Sequence, residues 1–86
     1  MTAKALAGLD PMTTELVGVA AAVAGHCEPC FVYHYNEALI LGVPFATIEE
    51  AVTLAHAVHQ AGQKHMEEFA RRRMGKPHEA TAKAAA

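Results

Sequence analysis

The sequence predicts an all-α fold, a small domain of about three main helices, from three observations. Apolar residues recur at helical spacing, and the segments that carry them end in glycine or proline. The apolar content is also of a particular kind: 52% of the 86 residues are hydrophobic but only 6% are aromatic, with no Trp, so Ala, Val and Leu dominate. Small apolar side chains build a thin core best filled by closely approaching helices. A chain of this length suits one compact unit. The expected boundaries are a flexible N-terminus over 1–10, a single domain over 11–74 and a disordered tail over 75–86, where Gly75 and Pro77 lead into an Ala-rich end.

The first helix is expected from Asp10 and Pro11 to about Ala24. Asp caps free backbone N–H groups and Pro is tolerated in the first turn. After Glu15 this segment is nearly apolar all round (Leu16, Val17, Val19, Ala20, Val23), the pattern of a buried helix, and Gly25 stops it. The second helix starts near Cys27, takes Pro29 in its first turn and runs through Phe31, His34, Ala38 and Leu41 to Gly42, with Pro44 beyond. Thr47, Ile48, Glu49 and Glu50 spell an S/T-x-x-E capping box opening a third helix. Its apolar positions are Ile48, Ala51, Val52, Ala55, Val58, Gly62, Met66 and Phe69. As one straight helix over 48–74 it would be roughly 40 Å long, so either Gly62 kinks it or its far half packs on neighbouring subunits.

Composition narrows the classes of function. The net charge of −2 carries no basic footprint for nucleic acid. The longest near-apolar run, 16–25, is too short to span a bilayer, and residues 1–10 contain no sustained apolar stretch of the export type, so no membrane role and a cytoplasmic location are expected. A domain this small buries only roughly 60% of its unfolded surface. Excess apolar surface on so short a chain predicts a homo-oligomer.

The chemistry concentrates at the start of the second helix. Cys27 and Cys30 are the chain's two cysteines, in one C-x-x-C. A bridge between them closes too small a loop to stabilise much, so chemistry is the better explanation for it. In a first helical turn, unpaired N–H groups and the helix dipole favour a thiolate, which is both nucleophile and leaving group in disulfide exchange. His34 follows at i+7 from Cys27, on the same stripe one turn past Cys30. If the first two helices form an antiparallel hairpin about Gly25 and His26, Glu15 comes to the level of His34, within about 3 Å in height. Glu15 is the one acidic residue of an otherwise apolar segment, and a carboxylate that orients a His serving a thiol is a known way to activate a nucleophile.

The run Glu15, eleven residues, Cys27-Glu28-Pro29-Cys30, three residues, His34 resembles the E-x11-C-x2-C-x3-H signature of alkylhydroperoxidase D-like proteins in the carboxymuconolactone decarboxylase superfamily. The surrounding G-H-C-E-P-C-F-V-Y-H-Y-N-E-A-L-I-L-G and the later E-E-A-V-T-L-A extend the resemblance over roughly residues 12 to 70. The resemblance implies a thiol peroxidase in which Cys30 is oxidised by a hydroperoxide, Cys27 resolves it to a disulfide, and Glu15 with His34 relays protons. It also implies a dithiol reductant such as a lipoyl-bearing protein and assembly as trimers or hexamers; no cofactor and no metal are expected. One departure stands out: Pro29 occupies a position where alkylhydroperoxidase D carries a His, and His26 precedes the first cysteine instead.

Two other functions fit parts of the pattern. A lyase of the same superfamily, acting on a lactone, would need no dithiol. A non-enzymatic oligomeric scaffold would use the cysteines for zinc, with His56 and His59 as further ligands, although their H-x2-H spacing departs from the usual finger arrangement. His65 reads as a solvated or interface side chain, and His26 as a helix-end residue or a neighbour of the site. Tyr33 and Tyr35 flank His34 and are expected to point away from it. Arg71, Arg72 and Arg73 suit a helix C-terminus.

Overall fold

A computed structural model describes residues 7–75 and shows three α-helices, with no strand among the described residues. Helix α1 spans Pro11–Ala24, α2 Glu28–Ile40 and α3 Phe45–Met74. Residues 1–6 of the expected N-terminal segment lie outside the described residues, as does all of the expected tail except Gly75.

Helix α1 begins where Asp10 and Pro11 predict. The Asp10 carboxylate accepts the Thr13 backbone N–H (2.9 Å) and the Thr13 hydroxyl (2.7 Å). These two bonds, the backbone one first, hold the Asp10 carboxyl below its ordinary value of 3.8. Gly25 caps the other end, and the chain reverses through a Schellman motif: His26 N–H donates to the Val23 carbonyl and Cys27 N–H to that of Ala22. A second Schellman motif ends α2, where Gly42 N–H donates to Leu39 and Val43 N–H to Ala38, with Gly42 at φ 84° in the left-handed region.

The third helix starts earlier than the capping box places it. Pro44 is the N-cap, in extended conformation, and its carbonyl already accepts the N–H groups of Thr47 (3.0 Å) and Ile48 (3.2 Å). No side chain caps this end. The S/T-x-x-E pattern is overridden because the tight exit from α2 buries Val43 and brings Pro44 to the N-cap position, so that the helix starts at the next residue, Phe45. Gly62 does not break the helix, which runs unbroken for 30 residues, about 45 Å.

Helix α1 is the common partner, packed along both α2 and α3, whereas α2 and α3 touch each other only slightly. The core is correspondingly small: Val19, Ala38, Val43 and Ile48, flanked by Leu16, Phe31, Tyr35 and Val52. Two neighbours leave the third face of α1 open, so Val17 is exposed although the apolar run predicts burial all round. Helix α3 uses Ile48, Val52 and Ala55 against the core, while Leu54, Val58, Met66 and Phe69 remain exposed. No helix among the described residues is long and apolar enough to cross a membrane.

Candidate active site

Cys27 is the N-cap of α2 and Cys30 lies in its first turn; the two form a disulfide with Cα atoms 5.2 Å apart. Cys27 Sγ also accepts the Cys30 backbone N–H at 3.3 Å. The sulfurs therefore sit at the positive end of the helix dipole, where a sulfur anion released by opening the bridge meets unpaired N–H groups. Pro29 suits this turn because its missing N–H would have had no intrahelical acceptor.

One turn beyond Cys30, the His34 Nδ1 lies 2.6 Å from Glu15 Oε2. The hairpin places Glu15 opposite His34, as the height argument from sequence requires. Among the described residues Glu15 is the one buried polar or charged residue, 6% exposed, and no buried side-chain nitrogen or oxygen lacks a partner. With the Glu15 carboxylate as acceptor, Nδ1 of His34 carries the hydrogen and Nε2 keeps its lone pair for an incoming proton. The carboxylate thus fixes both ring orientation and tautomer.

Gly18 is the site residue that the sequence reading overlooks. A Cβ there would run into the Cγ, Nδ1 and Cδ2 atoms of the His34 ring. Gly18 is one turn after Glu15 on the same face of α1, so the pair forms a seat: the carboxylate binds the ring edge and the bare backbone admits the ring. An isolated glycine inside an apolar helical segment was the available signal, since such a residue marks close approach. Tyr33 adds an edge-on contact to the His34 ring, centroids 5.0 Å apart, contrary to the expectation that it points away. Tyr35 does turn away, into a stack on Phe31.

A pocket of about 300 Å³ opens at the α1–α2 turn, walled by Ala22, Val23, His26, Cys27, Glu28 and Phe31. Cys27 is in its wall and Cys30 is not. His26 meets His59 of α3, with their Nε2 atoms 3.1 Å apart, a pairing that sequence spacing did not indicate. His56 and His65 are exposed. No group of three or more His, Cys, Asp or Glu side chains among the described residues is arranged to hold a metal ion.

No curated protein and no solved structure matches the chain. A family model does, over residues 1–71, a span that takes in Glu15, Gly18, both cysteines, His34 and most of α3. The chain, with its helical hairpin and its C-x-x-C at the head of the second helix, belongs to the carboxymuconolactone decarboxylase family.

Proposed function

We propose that the chain is a thiol-dependent oxidoreductase that reduces hydroperoxides, or exchanges disulfides, with the Cys27–Cys30 pair. The observation that carries this reading is the disulfide at the N-terminus of α2 with His34 one turn away, its tautomer set by buried Glu15. A base oriented by a carboxylate and placed beside a thiol is the arrangement that activates a sulfur nucleophile. Cys30, closer to His34 along the helix, attacks the outer peroxide oxygen and becomes a sulfenic acid. Cys27 then attacks Cys30 Sγ, forming the disulfide and releasing water. A dithiol, free or lipoyl-borne, returns the pair to the reduced state. This is a cytoplasmic chemistry, because only a reducing compartment keeps such a reductant supplied.

Assembly as a homo-oligomer, a trimer or hexamer by resemblance, is part of the same proposal. Its support is the exposed apolar row Leu54, Val58, Met66 and Phe69 on α3, more than a small monomer ordinarily shows to water. The lactone-lyase alternative explains Glu15 and His34 but leaves the cysteine pair without a role.

The test is consumption of an organic hydroperoxide by purified protein supplied with dihydrolipoamide, followed by thiol titration and mass spectrometry. Turnover that stops when the thiols are alkylated supports the reading. Hydroperoxide consumption indifferent to alkylation rejects it.

A further inference from the structure

The Schellman motif that ends α1 needs a residue in the left-handed region one position after the cap. Glycine fills that position without strain, yet the glycine stands one place earlier, at Gly25, and His26 takes the left-handed conformation at φ 55°. Among the described residues it is the sole non-glycine with positive φ. The turn holds a Cβ where none is favoured, and the imidazole so placed is directed at α3.

There the His26 and His59 Nε2 atoms approach to 3.1 Å, with ring centroids 4.7 Å apart. At that distance one ring donates the single hydrogen between them and the other accepts it. A proton taken up at one ring can therefore be passed to the other across the shared bond. His26 is exposed and His59 half-buried, so the relay has a solvent end and a sheltered end. His26 also shares with Cys27 the wall of the 300 Å³ pocket, whereas Cys30 is not part of that wall. The titratable groups facing His26 are His59 from α3 and Cys27 and Glu28 from the start of α2; Ala22 and Val23 of α1 carry none.

We propose that the His26–His59 pair is a second imidazole relay that serves the Cys27 thiol, as Glu15 and His34 serve Cys30. This rests on the peroxidase reading of the site and assigns the proton at its second sulfur. In the oxidising half, Cys30 thiolate takes the outer peroxide oxygen, the O–O bond breaks, and the alkoxide departs as the alcohol with the proton that His34 drew from the Cys30 thiol. His26 then accepts the Cys27 proton, Cys27 thiolate attacks Cys30 Sγ, the S–O bond breaks and the departing hydroxide takes that proton from His26 and leaves as water. In the reducing half, a thiolate of the dithiol enters the pocket, bonds to Cys27 Sγ and expels Cys30 thiolate. Its second thiol gives its proton to His26 and attacks its own bound sulfur, forming the reductant's disulfide and expelling Cys27, which takes that proton from His26. The peroxide gains the two electrons that the dithiol loses. His59 touches none of the reacting atoms and is a positioning residue, holding the His26 ring and sharing its hydrogen.

The test isolates Cys27 by working in full-length protein carrying Cys30→Ser, and reads the rate of Cys27 alkylation by iodoacetamide against pH. Because no peroxide is involved, it stands apart from the fate of the peroxidase reading. His26→Asn, a residue that tolerates the left-handed region, is expected to slow alkylation at neutral pH severalfold and to raise the midpoint of the profile by about one pH unit. His59→Gln should move it in the same direction by less. In His26→Gly, which relieves the turn, added imidazole should restore the rate, an effect no structural role predicts. Profiles that keep the parent midpoint in both His26→Asn and His59→Gln overturn the proposal, as does a deficit in His26→Gly that imidazole leaves untouched.

Discussion

Gly18 of α1 lies directly beneath the His34 imidazole of α2, so close that the smallest side chain at position 18 would overlap the ring. His34 reaches Glu15 because of that vacancy. Gly18→Ala is therefore expected to do two things: destabilise the fold by about 1–3 kcal/mol through overpacking, and displace His34 from its carboxylate. Thermal unfolding measures the first and hydroperoxide turnover the second. A Gly18→Ala protein with parental stability and parental turnover would remove Gly18 from the site.

Replacement of Glu15 separates orientation from charge. Glu15→Gln keeps an acceptor oxygen within reach of His34 but removes the carboxylate, and turnover should fall while the fold persists. Glu15→Ala leaves Nδ1 of a largely buried ring without its partner and should cost about 1–3 kcal/mol as well. For both, loss of the oriented base should reduce turnover by about 10²-fold or more.

The cysteines should differ in kind. Cys30→Ser is expected to abolish hydroperoxide consumption, whereas Cys27→Ser should accumulate a sulfenic acid on Cys30 that a carbon nucleophile such as dimedone traps. Mass spectrometry of the adduct distinguishes them. Trapping on Cys27 in a Cys30→Ser protein, with turnover retained, would reverse the roles.

The acid end of the stability profile should carry the signature of Asp10. Its carboxyl lies below the ordinary 3.8 because the ionised form accepts the Thr13 N–H and hydroxyl. The folded state thus binds its proton less readily than the unfolded chain does. Its stabilising contribution is present above the ordinary value and is lost as pH falls through the folded one. Asp10→Asn removes this dependence, so the gap between variant and parent in thermal midpoint should narrow on acidification from about pH 5 to about pH 2. A constant gap across that range would show that the cap does not act through its charge.

How much of this was written in the primary structure varies from residue to residue. Asp10–Pro11, Gly25 and Gly42 mark helix ends by local chemistry, and the structure keeps them all. The Glu15–His34 contact was legible because a hairpin of known rise converts sequence distance into height. Thr47–Glu50 misled, since a capping box competes with the buried anchor Val43 and the preset Pro44, and that contest is decided by packing rather than spacing. Gly18 and the His26–His59 pair escaped for a related reason. Each depends on which face of one helix meets another, and the local pattern is silent about that.

Helix α1 touches both ends of the chemistry, and this gives its residue count a meaning beyond length. Glu15 and Gly18 seat one imidazole; Ala22 and Val23 wall the pocket a turn later, and His26 leaves the end of the same helix to find the other. A single residue inserted between Gly18 and Ala22 would rotate Glu15 by about 100° relative to the pocket and slide it by about 1.5 Å. The carboxylate would then face away from His34 while the Cys27 side stayed in place. The eleven residues between Glu15 and Cys27 act as a phase setting for two imidazole contacts, Glu15–His34 and His26–His59, that share no side chain.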